Sequence, residues 1–173
     1  MRRPVAVVIM GLLWACGALA QQLAPTGQTH QENSFQLTAS PGKAPVQIAE
    51  KELAQMPRKA VTVHNPHTNA DEKYEGVELS DLLTRYGAPL GKQLRGPALA
   101  DYVVATGSDG YKAVFSLAEV DPSFHPGTVL VADTMDGKPL DAHTGPFRLV
   151  ATEDQRPARG VRNLVSLEVK SAP

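Results

Sequence analysis

The sequence predicts an α+β fold, a mixed β-sheet with short helices set between the strands. Three observations point to it. Short apolar runs with period-two alternation recur along the chain. The helical patterns are few and do not follow the strands in strict βα order. The stretch Val129 to Val150, VLVADTMDGKPLDAHTGPFRLV, joins two apolar runs through an Asp136-Gly137 turn. Asp tolerates positive φ and Gly adopts it freely, so the pair marks a tight reversal between strands.

The elements follow in order. Phe35 to Thr38 alternates and reads as a strand, Ser40-Pro41-Gly42 as a turn, and Val46 to Ile48 as a second strand. Ala49, Leu53 and Met56 recur at helical spacing until Pro57 stops the helix. Val61 to Val63 is a strand, broken by His64-Asn65-Pro66-His67, with a polar loop from Asn65 to Lys73. Leu79, Leu82, Leu83 and Tyr86 form one apolar helical face, capped by Gly87 with Pro89 beyond. Tyr102 to Thr106 and Tyr111 to Phe115 form a hairpin through Gly107-Ser108-Asp109-Gly110, with Tyr111, Ala113 and Phe115 on one face. Ser116-Leu117-Ala118-Glu119 fits a capping box, and Asp121-Pro122 ends the turn it starts. After the Val129–Val150 unit, which reads as strands stopping at Asp133 and running from Phe147 to Val150, comes a basic loop from Arg156 to Arg162. A last strand spans Leu164 to Val169.

The N-terminus has a different character. Arg2 and Arg3 precede a short apolar run, and Ala18-Leu19-Ala20 forms a small-x-small cleavage pattern. This is the layout of a secretory signal peptide over residues 1–20, which implies a periplasmic or secreted protein with no membrane attachment after cleavage. A retained anchor is the rival, though no second apolar run is long enough to span a bilayer. Lipidation at Cys16 ranks lower because Trp14 fits that pattern poorly. Residues 21–33 read as a flexible leader and 34–170 as one domain.

The hydrophobic fraction of 42% supports a real core. Cleavage would remove two arginines and no acid, leaving 15 basic residues against 18 acidic ones and taking the formal charge from −1 to −3. Bulk charge therefore argues against nucleic acid as a partner. Cys16 is the single cysteine, so the mature chain has no disulfide, no thiolate nucleophile and no cysteine-based metal site.

Three clusters carry candidate chemistry. Arg156, Arg159 and Arg162 recur at every third position, with Arg148 on the preceding strand. Guanidinium groups grip phosphate or sulfate through paired N–H donors. The alternative is a solvated loop paired with Glu153 and Asp154. His64 and His67 could bind a divalent metal, but the preferred reading is an ordinary polar loop, because no cysteine and few carboxylates stand nearby. Asp141, His143 and Arg148 surround Gly145-Pro146, where an imidazole beside a carboxylate could move a proton. The alternative is a turn packed by Pro146. No catalytic residue and no metal ligand set is assigned.

An ordered set of motifs says more. Gly76-Val77-x-Leu79-x-Asp81-Leu82-Leu83 is followed by Asp109-Gly110-Tyr111 and Phe115-Ser116-Leu117. Then come Asp136-Gly137-Lys138-Pro139-Leu140 and Gly145-Pro146-Phe147-Arg148-Leu149-Val150. In this order they resemble the oxidoreductase molybdopterin-binding domain of the sulfite oxidase family, over roughly Phe35 to Val169. The resemblance implies a molybdenum–pterin cofactor held by its phosphate and pterin. It also implies that Arg159 or Arg162 meets that phosphate. His143 and Arg148 fall in the family's His-Gly-Pro-Arg segment, with Thr144 interposed. The family's metal-binding cysteine would follow the strand at Val61–Val63. Here His64-Asn65 stands there: the asparagine echoes the pattern, and the thiolate is gone. The C-terminal dimerisation domain of sulfite oxidases is also expected to be lacking.

Two functions follow as expectations. One is an exported redox-enzyme relative that binds a molybdopterin-type cofactor, with room for a redox protein partner. The other is a cofactor-free module for a small anion or a protein partner.

Overall fold

The computed structural model describes residues 32–173. The expected signal peptide and most of the expected leader lie outside the described residues. In chain order the elements are β1 (Ser34–Thr38), β2 (Val46–Ala49), α1 (Glu50–Ala54), β3 (Lys59–Asn65), β4 (Ala70–Glu78) and α2 (Leu79–Arg85). They continue with β5 (Asp101–Gly107), β6 (Lys112–Ser116), α3 (Leu117–Val120), β7 (Val129–Met135), β8 (Lys138–Pro139), β9 (Arg148–Ala151) and β10 (Leu164–Ser171). No helix among the described residues is long and apolar enough to cross a membrane.

The strands form two sheets. The first runs β2-β1-β10-β5-β6, and its single parallel pair, β1 with β10, makes it mixed. The second runs β3-β4-β7, with β8 and β9 pairing successive parts of the far side of β7. The α+β, mixed-sheet expectation therefore holds, with two sheets where one was expected.

Alternation explains where the core sits. Phe35, Leu37, Val103, Ala105, Phe115, Leu167 and Val169 point inward from the first sheet, and Val77, Val129, Val131 and Leu149 from the second. Together with Leu79, Leu82 and Leu83 of α2 they form one cluster. Phe35 meets Phe147 edge-to-face with centroids 5.2 Å apart, a favourable aromatic geometry. The Ser116–Glu119 capping box forms as read: Ser116 Oγ accepts from the Glu119 amide, and the Glu119 carboxylate accepts from the Ser116 amide.

Gly76 has a steric cause. A β-bulge at Glu75/Gly76 brings β4 against β7 so closely that a Cβ at Gly76 would lie 2.0 Å from the Val131 carbonyl oxygen. At the β7–β8 hairpin, Asp136 and Gly137 both take positive φ, +50° and +74°, as a type I′ turn requires.

Several boundaries differ from expectation. His64 and Asn65 do not break β3, and Ala70 to Lys73 is not loop. The β3–β4 ladder extends from Lys59↔Gly76 to Asn65↔Ala70, with a short turn at residues 66–69. Polar cross-strand pairs hold this outer part of the hairpin, so hydrophobic alternation marks only its inner end. β7 likewise continues past Asp133 to Met135. Tyr111 precedes β6 and is 47% exposed, while Ala113 and Phe115 are buried.

Candidate functional site

The face of the second sheet turned away from the shared core carries a second apolar cluster. Register puts Val61 opposite Tyr74, Val63 opposite Glu72, Ala132 opposite Arg148 and Leu130 opposite Val150. Tyr74, Leu130, Ala132 and Val150 are buried there, with Val61, Val63, Met135 and Leu140 packed on them. Val63 of this cluster also lines a cleft of about 570 Å³, a volume in the range of small-ligand sites. The turn at Pro66 and His67 contributes to its lining, as does the segment from Gln155 to Arg162. An adjoining lobe is lined by Thr62, Val63, Val150, Ala151 and Pro157, with Arg148, Thr152 and Asp154 among its polar residues.

Most of the sequence-predicted residues meet here. His64, Asn65, Arg148, Arg156 and Arg162 all line the cleft. His143 stands beside it, its Nε2 3.3 Å from Arg162 Nη1. Because arginine only donates, this contact is a hydrogen bond in the tautomer that leaves Nε2 as the acceptor. Asp141 makes no ion pair with the imidazole of His143 among the described residues. Its carboxylate instead accepts from the amides of His143 and Thr144 and from the Thr144 hydroxyl, which hold it below the usual carboxylate range.

Arg159 lies elsewhere. Its Nε and Nη2 donate to Asp154 at 3.0 and 2.5 Å, and its Nη1 donates to Glu119 at 2.9 Å. The guanidinium carbon stands 4.6 Å from the centre of the Phe115 ring. These contacts, the Asp154 hydrogen bond foremost, raise its pKa above the ordinary arginine value. Arg159 therefore anchors the loop to α3 and does not face the cleft. The expectation that it meets a cofactor phosphate is replaced by this pairing, which is half of the solvated-loop alternative; Arg162 keeps its place in the lining.

A chain of hydrogen bonds crosses the cleft floor. Arg148 Nη1 donates to the Tyr74 hydroxyl at 2.7 Å, and the hydroxyl donates to Glu72 at 2.7 Å. The Asn65 amide donates to the other Glu72 oxygen at 2.6 Å, and Asn65 Oδ1 accepts from the His67 amide at 2.9 Å. The Arg148 guanidinium carbon lies 5.0 Å from the centre of the Tyr74 ring. Burial, followed by the Glu72 hydrogen bond, pushes the Tyr74 phenol up to about 12. Arg148 Nε is buried with no acceptor, the one such side-chain atom among the described residues. At the cleft edge, Asp71 accepts from His64 Nδ1 at 2.9 Å, which leaves Nε2 as the free ring nitrogen.

Tyr74 and Glu72 were not read as site residues from the sequence. Their i, i+2 spacing on a strand opposite Val61 and Val63 was the available signal. The extended β3–β4 register was needed to use it.

The family described as the oxidoreductase molybdopterin binding domain matches residues 26–173. The chain belongs to this family. No curated protein matches it. Among solved structures, 25 chains match. One is the sulfane dehydrogenase SoxCD from Paracoccus pantotrophus, with a TM-score of 0.61 and 19% identity over 80% of this chain. At that identity the likeness concerns the fold. The chain spans 39% of the SoxCD chain it matches.

The family's cofactor can be tested against these residues in two parts. For an anionic, phosphate-bearing end the fit is good. Arg148, Arg156 and Arg162 line one cleft, none has a carboxylate partner among the described residues, and Arg148 Nε awaits an acceptor. For the metal the donors do not fit. Residues 32–173 contain no cysteine. Among the described residues no group of three His, Cys, Asp or Glu side chains is placed to hold a metal ion. By the resemblance, His64 stands where the family's thiolate would, and an imidazole nitrogen is a different class of ligand.

Proposed function

We propose that this chain is an exported relative of the sulfite-oxidase-type oxidoreductases that binds a phosphate-bearing, pterin-type anion in the cleft over its second sheet. It does so without a thiolate-held molybdenum centre. Three cleft-lining guanidinium groups with no carboxylate partner among the described residues carry this reading. Arg148 supplies a fixed donor at the floor, and Arg156 and Arg162 supply charge at the more open side. The adjoining lobe, with Val63, Val150 and Ala151 in its lining, would take the organic body of the ligand. Export rests on the N-terminal pattern of residues 1–20. The redox partner that a metal-loaded relative would need is not required on this reading.

A second reading keeps the scaffold and the anion site but takes a small anion or a protein partner in place of a pterin. The missing thiolate favours it. The two separate when the exported protein is purified from cells that make the cofactor. Molybdenum is measured by elemental analysis, and pterin by fluorescence after oxidation. Pterin without molybdenum is the expected result. Stoichiometric molybdenum would contradict the thiolate-free reading. Phosphate binding with neither metal nor pterin would favour the second.

A further inference from the structure

Arg148 stands on β9, and no carboxylate among the described residues pairs with it. An arginine has several rotatable bonds, and an exposed one samples many orientations. A receptor for an oxyanion gains affinity when the guanidinium plane is fixed beforehand, because the ordering cost is met on folding. Here the plane is constrained twice. The Tyr74 ring stands beneath the guanidinium at 5.0 Å, and the Tyr74 hydroxyl accepts from Nη1 at 2.7 Å. Tyr74 is itself fully buried and is held by Glu72, which is held in turn by Asn65.

We propose that Tyr74 is a positioning residue for anion binding, with Glu72 orienting its hydroxyl so that Arg148 is preset but keeps its positive charge. The chemistry turns on the phenol. A carboxylate in contact with Arg148 would fix the guanidinium equally well, but it would cancel the charge that recognises an anion. A neutral hydroxyl fixes it without cancelling. The Glu72 carboxylate, one hydrogen bond removed, accepts the hydrogen bond from the hydroxyl and turns the oxygen lone pairs toward Arg148. The phenol pushed up to about 12 stays protonated at neutral pH, as this role requires. The inference rests on the anion-binding reading above and assigns the residue that presets its principal donor.

The test uses the full chain and inorganic phosphate as the probe. Tyr74→Phe keeps the ring and removes the hydroxyl. Calorimetric titration should show affinity weakened about three- to tenfold, the effect of one hydrogen bond. Arg148→Lys should weaken it at least as much. The double variant should be no weaker than Arg148→Lys alone, because Tyr74 acts only through Arg148. A Tyr74→Phe protein with unchanged affinity, or a double variant with fully additive losses, overturns the proposal. A readout that needs no ligand is the nitrogen-15 signal of the Arg148 side-chain Nε–H. It should be sharp and protected from exchange in the parent protein and should be lost in Tyr74→Phe. If phosphate does not bind the parent protein, the anion reading falls, and this signal decides the positioning role alone. Persistence of the signal in Tyr74→Phe overturns that role, and its loss supports it.

Discussion

Two arginines in this molecule stack on aromatic rings with similar geometry and meet opposite surroundings. Arg159 lies over Phe115 at 4.6 Å and Arg148 over Tyr74 at 5.0 Å. Carboxylates from Asp154 and Glu119 touch Arg159 directly. Around Arg148 the nearest acid in the network, Glu72, is reached only through the Tyr74 hydroxyl. The first arrangement spends its charge on holding a loop to a helix. The second orients a side chain through one hydrogen bond and a ring and leaves its charge available in a cleft. Orientation and neutralisation are separable, and a binding site needs the first without the second.

The largest effects should be common to both clusters. Tyr74→Ala and Phe115→Ala each remove a buried ring, and each should cost about 3–5 kcal/mol of stability in denaturant unfolding. A small loss at either one would mean that its ring is not part of the scaffold. The arginines should then part company. Arg159→Ala should lower stability by about 1–2 kcal/mol, a figure kept modest because the pair is partly exposed to solvent. The loss should shrink in high salt. Arg148→Met keeps the length of the side chain and removes a buried donor without a partner. It should leave stability within about 1 kcal/mol of the parent, or raise it, because an unsatisfied buried donor is itself a cost. A large loss at Arg148 would make it a structural residue like Arg159.

The smallest expected effect is a pH dependence. The folded-state pKa of Tyr74 is raised to about 12, against about 10 for an unperturbed phenol. Its contribution to stability is therefore fully present below pH about 10 and is lost as the pH rises toward about 12. The difference between alkaline spectrophotometric titrations of the parent and Tyr74→Phe should show a step near that upper value. A step near the unperturbed value would mean that the hydroxyl is not buried and paired.

Much of this architecture could be read from local pattern. The Ser116–Glu119 capping box, the Asp136-Gly137 reversal, the apolar face of α2 and the strands of the first sheet all announce themselves within a few residues. The family could be read as well, because its motifs lie in order along the chain. What local pattern could not supply was long-range register. The polar end of the β3–β4 hairpin has no hydrophobic alternation, so His64, Asn65 and Glu72 looked like loop. Arg159 appeared equivalent to Arg156 and Arg162 because Asp154 lies near all three in sequence and Glu119, its second partner, is remote. Nothing local marked Tyr74, because the Arg148 that stands over its ring comes from β9.

The central claim is that anion recognition belongs to Arg148 and not to Arg159. The direct measurement is calorimetric titration of inorganic phosphate into the parent protein, Arg148→Met and Arg159→Ala, under one buffer and ionic strength. The account predicts that Arg148→Met loses binding by at least about tenfold, or about 1.4 kcal/mol. Arg159→Ala, though less stable, should stay within about twofold of the parent, since it removes no donor from the cleft. Equal losses in both variants, or a loss confined to Arg159→Ala, would contradict it.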